Sequence, residues 1–549
     1  MRNVWKTLRR GAALLLGVCM LAGLLVGCGK EEESITQEDT AMQQTEQTTQ
    51  TEPNTEQTAP ETPAPAEVPA EPELETVTRE LVAADGSVHL YYDDRIRADD
   101  IAGGSVSSCE VTDQQPTSHA VGSDTPDEAV LYHDAGTNIL VAVGTGTATL
   151  VIDGTAHAVT VEPASISLVM ITGHSLGEGS QGEAGQQTVC QSGQAYSTHK
   201  VLELADETAP AGLGFGAANR PADIDAFSMS GRGTPGEAGA LANRWNQLTG
   251  EKIWVVNAAV GGSCLNEWVQ GTEYHDGAVA LYTNAAAILQ AEAAAGHYAV
   301  RNTAVIYHSA VNFEFKNVTF DNSLLEQWYD SLWSGFRTEL AADFDGDGTA
   351  EAPQALGFVP FWNVATAHAE LLLDRPANFY MAASDAYPDM FLASMIVQRW
   401  LTPEDLRANF PEVDYETHGF AVEKPTSADT LFADGVHLRQ PGYNALGADI
   451  GENLFRHFRQ PPQARSVKLL SPSGTEIGDT IELSRRNVEY AIAILPEPAC
   501  VSDLTITVDG DLELAYPMLL RDTGSGGGTL TISQGDTVLR TVTVTVPAE

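Results

Sequence analysis

The sequence predicts an α/β protein: a central domain on a parallel sheet, flanked by two small all-β domains. Three observations lead there. Between Ser165 and about Phe458, short apolar runs alternate with helix-period stripes, as strands and helices do in an α/β domain. Segments on either side are strand-like and end in matching hairpins. Finally, the apolar run Ile166–Ile171 stops at Gly173-His174-Ser175, which puts a glycine-flanked hydroxyl at the C-terminal end of a buried strand. That end of the strands is where open α/β sheets bind ligands.

At 549 residues the chain is too long for a single ordinary core, and several domains are expected. Lys and Arg total 29 against 75 Asp and Glu, a formal net charge of −46. Such a surface repels phosphates, and Lys/Arg clusters that would bind them are missing, so a nucleic-acid partner is not expected. The six cysteines (Cys19, Cys28, Cys109, Cys190, Cys264, Cys500) form no CxxC pair or metal-type spacing. Neither a zinc site nor a disulfide framework is indicated, and the last four read as free, buried thiols.

Taken in order, the N-terminus has the three parts of a secretion signal: basic residues, an apolar stretch from Ala12 to Val26, then small residues. Leu25-Val26-Gly27-Cys28 resembles a bacterial lipobox, which implies cleavage after residue 27 and a lipidated Cys28. A single transmembrane anchor is the alternative, but the run is short of the ~20 residues a span needs. On both readings the remainder lies outside the cytoplasm. From Glu31 to Glu73 the composition collapses to Glu, Thr, Gln, Pro and Ala without Lys or Arg, and residues 28–75 read as a disordered acidic tether. As a flexible coil it spans on the order of 40 Å.

Residues 76–164 are strand-like, closing on a hairpin, Thr149 to Val161, that turns at Asp153-Gly154. A similar passage, Thr529 to Val546, closes the chain, and both are followed by a Pro-Ala step. Residues 76–164 and 466–549 are therefore expected to be two small sandwiches. They resemble bacterial immunoglobulin-like modules, here most simply stabilising flanks. Within the central domain, residues 165–460, the candidate strands are Ile166–Ile171, Ile253–Val256, Ala304–Tyr307 and Leu356–Phe361. Asp321–Leu340 carries Leu324, Trp328, Leu332, Phe336 and Leu340 four apart, which marks a helix packed on the sheet with its aromatics in the core.

An activated serine needs a base within hydrogen-bond reach, and the base needs an orienting acid. Asp434-Gly-Val-His437 supplies both: a carboxylate three residues before an imidazole can meet it within one turn of chain and leave Nε2 for Ser175. Oxyanion donors are the remaining need. The glycines of Asn257-Ala-Ala-Val-Gly-Gly-Ser-Cys264, after the second strand, can present backbone N–H groups, and Asn312, after the third, can add a side-chain amide.

This order of blocks resembles the SGNH-type (GDSL-like) esterases: serine after the first strand, glycine after the second, asparagine after the third, then DxxH near the end. Gly261-Gly-Ser-Cys-Leu-Asn-Glu-Trp268 and Asp434-Gly-Val-His-Leu-Arg-Gln-Pro-Gly-Tyr443 look most like the sialate O-acetylesterase and acetylxylan esterase branch. The resemblance spans Ser165–Phe458. It implies a three-layer α/β/α fold with Ser175 as nucleophile, Asp434 and His437 as acid and base, and Gly262 and Asn312 completing an oxyanion hole with the Ser175 N–H. His174, Leu176, Ala310 and Phe313 depart from the residues usual at those positions. The implied activity is removal of acetyl or other small acyl groups from carbohydrate hydroxyls, with an acylated glycan as partner and no cofactor required.

Two rival readings stay open at this level. Gly173-His-Ser-Leu-Gly177 also fits the GxSxG elbow of α/β-hydrolases, although that fold wants α/β strands before the elbow and its acid and histidine on separate loops. A catalytically inactive, glycan-binding lipoprotein is the other. One motif falls outside all three: Asp343-Phe-Asp345-Gly-Asp347-Gly348 matches the start of an EF-hand-type calcium loop, with Gln354 where a bidentate Glu would stand. It reads as a polar turn or as a structural calcium site.

Overall fold

The computed structural model describes residues 74–183, 186–188, 190, 193–199, 222–223, 236–310, 322–361, 389–394, 396, 437–460, 463–470, 476–483, 489–498, 500–501, 504–516, 519–524 and 526–546. All of them belong to one compact unit, Val68–Glu549. The leader with Cys28 and the acidic tether up to residue 73 lie outside the described residues.

At the centre is a seven-stranded sheet made of β1 (Ala164–Gly173), β2 (Ala195–His199), β3 (Ala222–Asp223), β4 (Lys252–Asn257), β5 (Tyr298–Ala310), β6 (Ala355–Phe361) and β7 (Met390–Leu392). Their order across the sheet is β3-β2-β4-β1-β5-β6-β7. Six strands run parallel and the edge strand β3 is antiparallel. Strand β1 is hydrogen-bonded to β4 on one side and β5 on the other. Ile166, Leu168, Val169, Met170 and Ile171 are all buried, which explains why this strand is apolar on both faces; the one polar residue among them, Ser167, is buried too and accepts from Asn302 Nδ2 at 2.8 Å.

Each of the four expected strands exists, and two features went unanticipated. The third begins six residues earlier, at Tyr298, because a register shift between Val300 and Asn302 lets the polar Arg301-Asn302 pass within it. Ala195–His199 joins the sheet although its composition gives no apolar run.

Two helix pairs pack on the sheet: α2 (Ala238–Thr249) with α5 (Gln440–Arg459), and α3 (Glu273–Ala294) with α4 (Asn322–Glu339). The stripe on α4 faces inward as expected, with Tyr329, Leu332, Trp333 and Phe336 buried. Tyr329 meets Tyr307 and Phe358 edge-on, so these aromatics are core and not a sugar platform.

On both sides of this sheet the described structure is all-β apart from one short helix, Ala98–Ala102. The N-terminal strands form a four-stranded and a three-stranded sheet, in which Val88–Tyr91 pairs parallel with Thr155–Glu162. The expected hairpin turns at Asp153 (φ 48°) and Gly154 (φ 83°), the left-handed pair that a two-residue turn requires. The C-terminal strands form sheets of two, four and three strands. Their apolar residues, among them Leu469, Ile481, Leu530 and Val542, belong to the same buried cluster as the central sheet, whereas the N-terminal strands keep a cluster of their own. The C-terminal strands thus pack against the central core.

Among the described residues Cys109, Cys190, Cys264 and Cys500 form no disulfide, and all but Cys109, which is half-buried, are buried. Burial pushes the Cys190 thiol up to about 12, so it is unreactive at neutral pH. In the acidic loop, the Asp343 carboxylate accepts from the N–H groups of Gly346 (2.8 Å) and Gly348 (2.9 Å), and Asp345 and Asp347 accept from Asp347 and Thr349. The loop is held as a turn by these bonds.

His297 ties the N-terminal strands to the centre. Its Nδ1 meets Glu292 Oε2 at 2.6 Å and its Nε2 meets Asp127 Oδ2 at 2.8 Å, and the ring stacks on Tyr92 at 4.2 Å. Burial alone would lower the imidazole's affinity for a proton, but hydrogen bonds and charge from two carboxylates outweigh it and raise the pKa above its ordinary value. A raised folded value means stability that is complete below about pH 6.5 and declines as pH climbs through the folded value. The melting temperature of the wild type should therefore fall between pH 6 and 9 more than that of His297→Gln, which has no such proton to lose. Parallel melting curves across that range check it.

Candidate active site

The site is built at the C-terminal end of β1. Gly173 closes the strand at φ 107°, a conformation that L side chains avoid. A Cβ there would collide with the His308 carbonyl of β5, the residue Gly173 pairs with. His174 is extended and caps a four-residue helix, α1 (Ser175–Glu178), with its Nδ1 accepting from the Leu176 N–H at 3.3 Å. Gly179, left-handed at φ 82°, ends that helix. Strand, tight turn and short helix together raise Ser175 at the head of a sheet strand.

His437 arrives from 262 residues away, and its Nε2 lies 3.0 Å from Ser175 Oγ. This is hydrogen-bond distance, and a nucleophile–base pair needs nothing shorter. Ser175 is only 6% exposed, so the hydroxyl is shielded from bulk water. His437 is delivered by the segment leading into α5, whose first N–H groups need acceptors. Glu183 supplies one: its Oε2 accepts from the Gln440 N–H at 2.8 Å, and its Oε1 pairs with Arg439 Nη1 at 3.3 Å. Asn444 accepts from the Thr188 N–H and donates to the Gln186 carbonyl, and Tyr443 donates to the Ser180 carbonyl at 2.7 Å. The chain after Ser175 is thereby fastened to the helix after His437.

The glycine loop after β4 runs alongside. Its Ala258 N–H donates to Ile171 and its Val260 N–H to Gly173, both at 2.8 Å, so it follows the last residues of β1. Asn257 bridges the loop to α1: its Nδ2 donates to the Gly177 carbonyl (2.8 Å) and its Oδ1 accepts from the Ala259 N–H (3.1 Å). Ser263 donates to the Val260 carbonyl and accepts from Trp268 Nε1 at 2.8 Å, which closes the loop on itself. Gly262 is left-handed (φ 76°), and a Cβ there would meet nothing within 4 Å. Its glycine is required by the backbone, and open space surrounds it for a ligand.

The structure thus brings Ser175 and His437 together and sets Gly262 in a loop tied to the strand that carries Ser175. Asp434 and Asn312 lie outside the described residues. Sequence reasoning did not single out Glu183, Asn257, Gln440 or the buried pair His308 and Glu237, whose Nε2 and Oε1 are 2.5 Å apart. Their partners are distant along the chain, and polar residues in helix starts and strand ends carry no periodic signal.

No protein-family model matches the chain, and no curated protein matches it. Among solved structures, a carbohydrate acetylesterase from Xanthomonas citri is similar at 13% identity and a TM-score of 0.34, with 86% of this chain and 98% of that one covered. A protein from Arabidopsis thaliana is similar at 12% identity and a TM-score of 0.29, covering 52% of this chain and 96% of that one. A lipase from a goat rumen metagenome is similar at 10% identity and a TM-score of 0.24, covering 52% and 95%.

Proposed function

We propose that the protein is an SGNH-type serine esterase that removes acetyl or other small acyl groups from carbohydrate hydroxyls. The observation that carries this reading is the 3.0 Å approach of His437 Nε2 to Ser175 Oγ at the end of the central strand. In this mechanism Ser175 Oγ attacks the acyl carbonyl carbon while His437 Nε2 takes its proton. The carbonyl oxygen becomes an oxyanion, received by the backbone N–H groups of Ser175 and Gly262 and the amide of Asn312. The intermediate collapses, the sugar oxygen leaves with the proton from His437, and an acyl-serine remains. Water then attacks that ester with His437 again as base, releasing the carboxylic acid and restoring the hydroxyl. Asp434 is assigned the orientation of the imidazole.

Placement of the serine supports this reading over the α/β-hydrolase one. Among the described residues, only small β-sheets and one short helix precede β1, where that fold needs α/β units. We assign Cys28 as the lipid attachment point, which makes the enzyme an extracytoplasmic lipoprotein of a bacterium. The calcium-like loop has no step in the reaction.

The test has two arms. A fluorophosphonate probe should attach covalently to the wild type, with the adduct mapped to the peptide holding Ser175, because only an activated hydroxyl attacks it. Acetylated xylan, acetylated pectin fragments and O-acetylated sialic acids should then be screened for acetate release. A protein that takes no label is a binder and not this enzyme, and label on another residue overturns the assignment of Ser175.

A further inference from the structure

We propose that Glu237 and His308 are a buried positioning pair that holds the Ser175 turn and the His437 segment in one geometry. This inference rests on the esterase reading. Both side chains are wholly buried, and Oε1 of Glu237 lies 2.5 Å from Nε2 of His308. Their remaining polar atoms, Glu237 Oε2 and His308 Nδ1, have no partner among the described residues. A charged or strongly polar pair in such a place costs folding energy, and an apolar pair of equal volume is often no less stable. Its location supplies the reason for keeping it.

His308 forms the floor of the nucleophile turn. Its backbone pairs with Gly173, and its ring carbon Cδ2 would lie 3.0 Å from a Cβ at Gly177. The His308 backbone thus leaves no room for a Cβ at Gly173, and its ring, with Ala259 Cβ and the Thr172 carbonyl, crowds the same position at Gly177. Glu237 stands at the start of α2, against α5. The backbone of Gly447 on α5 comes so close to the Glu237 carbonyl that a Cβ would collide with it. Next to Glu237, the Gly236 carbonyl accepts from Gln440 Nε2 at 2.9 Å, three residues beyond His437. A single link thus runs from the underside of Ser175, through His308 and Glu237, to the helix that delivers the base. Both side chains are wholly shut off from solvent and so from a substrate, and each acts on the chemistry only through the two groups it aligns. Misplacement of such groups by about 1 Å can cost on the order of 100-fold in rate.

The experiment compares Glu237→Leu, Glu237→Gln and Ser175→Ala with the wild type, using p-nitrophenyl acetate. Leu keeps the volume and removes the hydrogen bond; Gln keeps both. Glu237→Leu is expected to lose at least about 10-fold in kcat with KM within about twofold, whereas Glu237→Gln stays within about threefold of wild type. Melting curves are recorded for each, and rates of fluorophosphonate labelling are normalised to folded protein, so a fall in folded fraction is not read as a fall in kcat. Should Glu237→Leu fail to fold, His308→Gln with Glu237→Gln restores a neutral hydrogen-bonded pair, and its kcat should exceed that of His308→Ala. Wild-type kcat in Glu237→Leu, or losses that follow melting temperature alone, overturns the positioning role while leaving Ser175→Ala inactive. Equal turnover by wild type and Ser175→Ala overturns the esterase reading itself, and this inference with it.

Discussion

Ser175→Ala is expected to cut turnover of an acetyl ester by roughly 10⁴- to 10⁶-fold, the range seen when a serine nucleophile is removed from a triad. The loss follows from what the hydroxyl does and not from how it packs. Its Oγ meets His437 Nε2 at 3.0 Å and His174 Nδ1 at 3.4 Å, and it is the one atom in this arrangement that can form the acyl bond. Alanine keeps the backbone and the Cβ, so the turn and the short helix that follows should persist and the melting temperature should barely move. Initial rates with p-nitrophenyl acetate beside a melting curve read both quantities. Undiminished activity would falsify the assignment of the nucleophile.

Gly173→Ala should instead act on stability. The added methyl would strike the backbone oxygen of His308 and come within 2.8 Å of its nitrogen, and φ is 107°. Backbone in a sheet cannot swing aside as a side-chain tip can. Overpacking and a forbidden dihedral together should cost about 3–5 kcal/mol. The control is Gly262→Ala. There the methyl meets nothing within 4 Å, and only the left-handed φ of 76° is paid, about 1 kcal/mol. Chemical denaturation of the two variants should separate them clearly, with Gly173→Ala far less stable. Equal stabilities would mean that the strand and its neighbour are not packed as described.

Much of this was legible in the chain itself, for physical reasons that can be traced to residues. Ile166 to Ile171 is apolar apart from Ser167 because a parallel strand with neighbours on both sides is buried on both faces. The α4 stripe from Trp328 to Leu340 has helical spacing because one face of that helix meets the sheet. Ser175 and His437 were legible as candidate partners because an activated serine needs an imidazole, and a glycine-flanked serine ends a buried strand while His437 closes a D-x-x-H motif. The Asp434 and Asn312 assignments fall on residues outside the described set.

What escaped the sequence reading is of a different kind. Glu237 and His308 are 71 residues apart, and nothing in the neighbourhood of either names the other. The packing of the C-terminal strands against the central core was equally hidden. Alternation in Thr529–Val546 says that one face is buried, but not against what. The extra length of β5 was masked by Arg301 and Asn302, polar residues that a register shift accommodates.

The fastening of Ser180, Glu183, Gln186 and Thr188 to the start of α5 has a consequence for anyone recombining this protein with a relative. Glu183, Gln186 and Thr188 on one side, and Arg439, Gln440 and Asn444 on the other, are complementary as a set. A chimera that imports one side alone loses these bonds, among them the acceptor that Glu183 gives the Gln440 N–H. Crossover points therefore belong outside both stretches, so that Ser175 and His437 are inherited with the contacts that join their segments.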